Sequence, residues 1–347
     1  MFQQSIRLLT RLIARHSVYY LISFSSLTLG ICAFFLLSLY VYFENSFDTF
    51  HEHAANVYRI STTSARSPVP MAAALKPVAG IQNTCRFIMT TSGTSLIVRS
   101  DKGDLFEENV YYADSTFFDF FSFPFSGPTP RGPLTLPDET IITRRLAEKY
   151  FPGEQAVGRT IEYTNSNLST NVFRIIGVVE NLPSNTQFDF DVLLPFSQYG
   201  SHQSQLWSNN IIYTYVKLEP NTDPARVLEE TKKIYREQTH MTEGQPDNLR
   251  LSDLTSLHFL NDATFDFGPH NKKENIIILV SVAILVLLIA IINFVNLTTA
   301  NATSRVKEVG LRKAIGASFR NLFRQFTGEA VAIAYGSFMI AIPVIWM

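Results

Sequence analysis

The side chains that could carry out chemistry are few and scattered in this sequence. His51 and His53 form an HxH pair, but positions i and i+2 of a helix point to different faces, so we expect no metal site there. The sequence contains no GxxxxGK[ST] phosphate-binding loop, no GxSxG motif and no HExxH motif. We therefore expect no catalytic residue, no metal and no cofactor in this chain.

The most informative segment is residues 301–318, NATSRVKEVGLRKAIGAS, which lies between two long apolar runs. The segment and its continuation contain one acid, Glu308, and six basic residues: Arg305, Lys307, Arg312, Lys313, Arg320 and Arg324. Each apolar run is close to the roughly 20 residues that cross a bilayer core as a helix. Positive charge in a short loop between two spans is typical of the cytoplasmic side. We predict a cytoplasmic loop here.

This loop also has a helical pattern. Apolar residues recur at helical spacing: Val306, Val309, Ala314 and Ile315. Gly316 is a typical helix stop, and Ser318 is a typical N-cap for the next helix. The pattern predicts a short amphipathic helix over residues 303–317 at the inner surface of the membrane, where a cytoplasmic partner would bind.

The apolar runs divide the chain into six segments. Residues 1–17 form an amphipathic cytoplasmic helix with three arginines on one face. The other predicted segments are transmembrane helices at 18–43, 275–298 and 327–347, an outer domain at 44–274 and the cytoplasmic loop at 299–326. Charge follows this division, since the two cytoplasmic segments hold nine basic residues and one acid, whereas residues 44–274 hold twenty and twenty-eight. Such segregation argues against nucleic-acid binding, which requires a basic face on a folded domain.

The outer segment has the pattern of an α+β domain. Its predicted helices are Ser46–Asn56, Met71–Pro77, Ser115–Phe120, Arg144–Tyr150 and Pro224–Gln238. Its predicted strands, rich in β-branched and aromatic residues, are Val57–Thr62, Ser95–Val98, Glu108–Tyr112, Glu139–Thr143, Thr160–Tyr163, Val172–Val179, Asp191–Pro195 and Ile211–Leu218. We interpret the aromatic segment Tyr111–Phe125 as part of the hydrophobic core.

Two asparagines of the second span and the two cysteines bear on the packing of the chain. Asn293 and Asn296 lie near the inner end of the second span, where they either bond to a neighbouring helix or lie at the interface. Cys32 lies in the first span and Cys85 lies in the outer domain, so we do not expect them to form a disulfide.

Taken in order, these segments resemble the FtsX-like, MacB-type permease subunits of ABC transporters, in the version common in Bacteroidetes. The resemblance covers essentially the whole chain. Its motifs are YFENSFDTFHEHAANVYRIS (Tyr42–Ser61), VYYADSTFFDFFSFPF (Val110–Phe125), LPDETIITRRLAEKYFPGEQAVGRTI (Leu136–Ile161), FRIIGVVENLPSNTQFDFDVLLP (Phe173–Pro195) and INFVNLTTANATSRVKEVGLRKAIGAS (Ile292–Ser318).

The resemblance implies an α-helical membrane protein with a large α+β extracytoplasmic domain, a MacB-like periplasmic core, between the first and second spans. It implies a subunit without catalytic activity that transmits the movement of a separate ABC ATPase, for export or extraction of a drug, a peptide or a lipoprotein. It places seven residues at the ATPase contact: Arg305, Lys307, Glu308, Gly310, Arg312, Lys313 and Gly316. The alternative for these charges is that they only fix the topology of the chain.

The resemblance also implies partners and a location. The expected partners are the ATP-binding subunit, a second permease subunit in a homodimer or heterodimer, membrane lipid and a periplasmic adaptor. The expected location is the inner membrane, with the N-terminus in the cytoplasm. The family has four spans and this sequence supplies three, so we expect an incomplete permease domain. The alternative function is a membrane-anchored sensor, or a regulator of cell-envelope enzymes that transports nothing.

Overall fold

The structure is a computed structural model that describes residues 17–89, 97–99, 105–107, 109–130, 132–164, 170–241, 247–304, 306–316 and 318–346. The chain divides into two compact units. One is the outer domain, Ser46–Lys272, and the other is a helical unit from Met1–Asn45 and Lys273–Met347. The predicted amphipathic helix at residues 1–17 lies outside the described residues, except for Ser17.

The outer domain is built on one mixed sheet. Its strands are β1 (Val57–Ser61), β2 (Ser67–Pro68), β3 (Ile81–Met89), β4 (Ile97–Arg99), β5 (Leu105–Glu107), β6 (Val110–Ala113), β7 (Glu139–Thr143), β8 (Thr160–Thr164), β9 (Thr170–Val179), β10 (Val192–Pro195), β11 (Asn210–Leu218) and β12 (Arg250–Asp253). They are ordered β12-β1-β11-β3-β6-β10-β7-β9-β8-β4-β5, and β2 pairs with β11. β10 lies parallel to β6 and β7 lies parallel to β9, whereas the other pairs are antiparallel.

Short helices connect these strands: α2 (Met71–Leu75), α3 (Phe117–Phe120), α4 (Arg144–Tyr150) and α5 (Pro224–Thr239). Local sequence explains the bounds of α5. The carboxylate of Asp223 accepts a hydrogen bond from the backbone N–H of Ala225 at 3.0 Å, and Pro224 occupies the first turn. His240 ends the helix in the left-handed conformation, with φ +53°.

The core of the outer domain is aromatic, as the sequence predicts. Within the segment Tyr111–Phe125, six rings are buried: Tyr111, Tyr112, Phe117, Phe120, Phe121 and Phe123. Four of them, Tyr111, Phe117, Phe121 and Phe123, pack with Phe87 or Phe188 at ring-centroid distances between 4.6 and 6.2 Å. Burial of such large rings supplies most of the favourable free energy of a core.

One prediction for this domain is wrong, and one central strand is absent from the predictions. Ser46–Asn56 is a series of turns that ends in a single 3₁₀ turn, Ala54–Asn56, rather than a helix. The helix is interrupted because Asp48 has φ +53° and its carboxylate binds residues of a distant loop. The strand β3 is central but absent from the predicted strands, because three polar residues, Gln82, Asn83 and Thr84, follow Ile81 and the apolar residues do not alternate.

The helical unit contains α1 (Ser17–Asn45), α6 (Lys273–Ser304), α7 (Val306–Ala314) and α8 (Phe319–Trp346). Three of them, α1, α6 and α8, are long and apolar enough to cross a membrane. Helix α1 packs against both α6 and α8. The cysteines Cys32 and Cys85 are free and buried.

Small and polar residues bring these helices together. A Cβ atom added at Gly30 of α1 would lie 2.2 Å from the Cβ atom of Ala290 of α6, so only glycine fits there. The side-chain amide of Asn293 donates a hydrogen bond to the Ser26 hydroxyl at 2.6 Å. Of the two alternatives for Asn293, bonding to a neighbouring helix is therefore the correct one.

Candidate coupling helix and outer cleft

Three apolar side chains on or directly after α7 are left uncovered by the rest of the described chain. Val306, Leu311 and Ile315 are 65%, 65% and 78% exposed. The helix ends as predicted, since the N–H of Gly316 donates to the carbonyl of Lys313 and Gly316 has φ +98°. Ser318 then caps α8 by accepting a hydrogen bond from the N–H of Asn321 at 3.4 Å.

The predicted contact residues fall on or next to this helix, but the structure describes only some of their side chains. Gly310 lies on α7 and Lys313 is exposed there, whereas Gly316 follows the helix. The backbones of Lys307, Glu308 and Arg312 belong to α7, and their side chains are not described. Arg305 lies outside the described residues. A Cβ atom added at Gly310 or Gly316 meets nothing within 4 Å, so an approaching surface could come close to either backbone.

Sequence reasoning did not single out three further apolar residues near α7. Leu311 was not among the predicted apolar set, although it is as exposed as Val306. Phe319 and Phe323, in the first turns of α8, are also exposed and their rings stack at 6.4 Å. Their i, i+4 spacing is the signal that could have identified them.

The outer domain contains a cleft of about 390 Å³ at the ends of β6, β7 and β10. Its residues are Asn109, Thr143, Arg145, Asn181, Leu182, Pro183, Ser184, Thr186, Phe188, Asp189, Phe190 and Asp191. The buried Asp191 forms an ion pair with the Arg145 guanidinium at 2.5 Å. The loop that precedes β10 forms one wall of the cleft. Arg145 of α4 also lines the cleft and pairs with Asp191 of this loop.

Tyr111 connects the aromatic core to this cleft. Its hydroxyl donates a 2.6 Å hydrogen bond to Asp189, and the side-chain amide of Asn109 contacts the same residue. Burial and the negative charge of Asp189 raise the pKa of Tyr111 well above its usual value. Tyr111 therefore stays protonated and acts as a fixed donor to this carboxylate.

Nothing in the described residues is arranged as a metal site. No group of three or more His, Cys, Asp or Glu in this part of the chain could hold an ion. His51 lies in a turn, and its Nδ1 atom accepts a hydrogen bond from the N–H of Ser122 at 3.0 Å.

Comparison with known proteins gives the family. Residues 20–234 match the MacB-like periplasmic core domain, and residues 280–347 match the FtsX-like permease C-terminal domain. The chain belongs to the FtsX/MacB-type ABC permease family. The resemblance and the fold class expected from the sequence are thereby confirmed: this permease is a membrane protein with a large α+β domain outside the membrane.

Relatives of this permease include larger proteins. It is 27% identical over 201 residues to the macrolide export ATP-binding/permease protein MacB of Wolinella succinogenes, and 26% identical over 198 residues to the protein of that name from Neisseria meningitidis. These alignments cover 56% of this chain and only 28% and 27% of the two relatives. The crystal structure of the periplasmic region of MacB from Actinobacillus actinomycetemcomitans is 14% identical, with a TM-score of 0.43, and the match covers 59% of this chain and 91% of that one.

Proposed function

We propose that this permease is the membrane subunit of an ABC transporter and that α7 receives the movement of a separate ATPase chain. The observation that carries this proposal is a short helix, α7, with exposed apolar residues on and directly after it, which follows one span-length helix and precedes another. Amphipathic helices that lie in a groove of a partner are a common recognition mode. Arg305, Lys307, Glu308, Gly310, Arg312, Lys313 and Gly316 are the proposed contact residues.

In this proposal, the chain hydrolyses no ATP itself. Movement of the ATPase displaces α7, and the spans pass the displacement to the outer domain as a change between two packed arrangements. The work done is export or extraction of a drug, a peptide or a lipoprotein on the outer side. The chain would act in the inner membrane, with its N-terminus in the cytoplasm, as a homodimer or together with another permease subunit. A periplasmic adaptor is a further proposed partner.

The test is a pull-down of the full chain from native membranes, followed by mass spectrometry. A variant with Arg305, Lys307, Arg312 and Lys313 changed to Gln is compared with the wild type. Its matched control changes Arg320 and Arg324 to Gln, because both are exposed basic residues in α8 beyond the proposed contact. We expect the ATPase with the wild type and the control, but not with the first variant.

Other outcomes would contradict the proposal. If both variants recover the ATPase equally well, the charges on α7 only fix topology. If a kinase or a cyclase is recovered instead, the chain is a membrane-anchored sensor. Cysteine labelling that places residue 310 on the outer side would overturn the proposed topology.

A further inference from the structure

Two connections join the outer domain to the span-length helices. The first connection, residues 46–51, follows α1, and the second connection, residues 257–271, precedes α6. Both lie within the outer domain and both contact the loop of residues 184–191, which forms one wall of the cleft. Their contacts to this loop define a region that we call the junction.

The first connection is bound to the loop through Asp48. Its buried carboxylate accepts hydrogen bonds from the Thr186 hydroxyl and from the backbone N–H of Gln187. Its own N–H donates to the carbonyl of Asn185 at 3.0 Å. The side-chain amide of Asn185 in turn donates to the carbonyl of Ser46 at 3.1 Å. A displacement of the first connection therefore acts directly on the loop.

The second connection meets the same loop through a close backbone contact. A Cβ atom added at Gly268 would lie 2.6 Å from the carbonyl oxygen of Gln187 and 2.8 Å from its Cα atom. The two connections also touch each other, since the rings of Phe47 and His258 stack at 3.7 Å. Asp266 of the second connection forms a bidentate ion pair with the buried Arg59 of β1. Both connections and the loop are thus parts of one contact network.

Each connection contains a residue in the left-handed backbone region, which aspartate adopts more readily than phenylalanine does. Asp48 has φ +53° and Phe265 has φ +56°, in a region that a bulky side chain such as phenylalanine rarely adopts. Such conformations persist only where surrounding contacts impose them, and they cluster in segments that switch between two arrangements. The Asp48 backbone is held by the bonds of its carboxylate to Thr186 and Gln187, and the Phe265 carbonyl accepts a hydrogen bond from the Tyr213 hydroxyl at 2.7 Å.

Several buried polar groups of the junction lack good partners. Among the described residues, neither the nitrogen nor the oxygen of the Gln187 side chain has a hydrogen-bond partner. The Nε2 atom of His51 lies 3.5 Å from the Asp48 carboxylate, and that of His270 lies 3.6 Å from Asp266. Unpaired buried groups cost free energy, which a small displacement that brings them to their neighbours would recover.

We propose that the junction is a two-state element that carries span movement into the cleft. In the observed arrangement it stores strain and leaves polar groups unpaired, and in the other arrangement those groups exchange partners. Because the loop of residues 184–191 forms a wall of the cleft, the exchange changes the shape of the cleft. This inference rests on the proposed function and identifies where movement of the spans reaches the outer domain.

The test uses the full chain, with the ATPase it recovers, in lipid nanodiscs. A spin label at Ser184→Cys reports on the loop, since Ser184 is exposed and the natural thiols, Cys32 and Cys85, are buried. Gly268→Ala perturbs the junction. Gly153→Ala is its matched control, because Gly153 has φ +74° against +77° for Gly268, but an added Cβ atom there meets nothing within 4 Å. Both variants carry the same backbone strain, and only one disturbs the loop.

We expect the spectrum of the label to differ between the nucleotide-free state and the state with ATP and vanadate. In Gly268→Ala, the nucleotide should change the ratio of the two loop populations about tenfold less than in the wild type, which is within the range of allosteric couplings. ATP hydrolysis should continue. Gly153→Ala should leave the difference unchanged. Equal responses of the two variants would overturn the proposal.

A failure of the proposed function gives a different result. If no ATPase is recovered, the proposed function has failed. The two-state junction is then tested by the spectrum of the labelled chain without a partner. We then expect two spectral components, with a ratio that Gly268→Ala changes about tenfold and Gly153→Ala does not change. A single spectral component would overturn the two-state junction. The same ratio of components in the wild type, Gly268→Ala and Gly153→Ala would overturn it as well.

Discussion

Replacement of Asp266 by asparagine should destabilise the outer domain strongly. Arg59 is 1% exposed and Asp266 is 7% exposed, and two hydrogen bonds of 2.6 and 2.7 Å join them. Asparagine preserves the shape of the side chain and removes its charge, which leaves a buried guanidinium without its counter-charge. Breaking such a pair from one side costs about 3–5 kcal/mol of the free energy of unfolding.

The assay is thermal unfolding of the full chain in detergent, followed by circular dichroism. For a domain of this size, about 3–5 kcal/mol corresponds to a lowering of the midpoint by roughly 6–20 °C. The double variant with Arg59→Met and Asp266→Asn removes both charges. It should be more stable than the sum of the single changes predicts, by about 1–3 kcal/mol.

The matched control is Asp262→Asn, which breaks an ion pair between the same residue types on the surface. Asp262 and its partner Arg250 are about half exposed, and exposed pairs contribute at most about 1 kcal/mol. If Asp266→Asn destabilises the chain no more than Asp262→Asn does, the Arg59–Asp266 pair does not hold the second connection in place. Strict additivity of the Arg59 and Asp266 changes would refute the reasoning as well.

Three further predictions follow from the geometry. Gly30→Ala should destabilise the contact between α1 and α6 by about 1–3 kcal/mol, and Ala290→Gly in the same chain should restore it; cross-linking between α1 and α6 measures both. Burial raises the pKa of Tyr111, so its contribution to stability is present below pH 10 and is lost as pH rises further; absorbance at 295 nm should show Tyr111 ionising only when the domain unfolds. The hydrogen bond from Arg250 lowers the pKa of Asp262, so its small contribution is present above about pH 4 and is lost as pH falls; acid unfolding of Asp262→Asn should show the difference.

Each of these predictions has a result that contradicts it. Gly328→Ala is the control for Gly30→Ala, because an added Cβ atom at this position of α8 meets nothing within 4 Å. Equal effects of the two alanines would mean that the close contact between α1 and α6 does not constrain the packing. Ionisation of every tyrosine near pH 10 in the folded chain would exclude the buried position of Tyr111. An acid transition that is the same with and without Asp262 would show that its ion pair contributes nothing to stability.

The sequence predicts those features whose signal is local. The span-length helices follow from uninterrupted apolar runs, and the end of α7 at Gly316 follows from a residue that tolerates positive φ. The burial of Phe117 and Phe121 follows from their size. The burial of the aromatic segment can be predicted without tertiary information, because any core of this domain would have to bury it.

The remaining features depend on contacts between distant residues. Asp48 and Asp266 look like ordinary surface acids in the sequence, since their partners are more than 100 residues away in the chain. Ser46–Asn56 was expected to be helical because its composition allows a helix, and the hydrogen bonds of Asp48 with Thr186 and Gln187 override that preference. The cleft brings together residues from separate strands, so no single motif could reveal it.

The most direct test of the central claim is photo-cross-linking from α7 in native membranes. A photoreactive phenylalanine replaces Leu311, and in a second chain it replaces Leu206, an equally exposed leucine of the outer domain. The account predicts a covalent adduct with an ATP-binding chain from position 311 and none from position 206. An adduct from position 311 only with lipid or with another copy of this chain would contradict the assignment of α7 as the coupling helix.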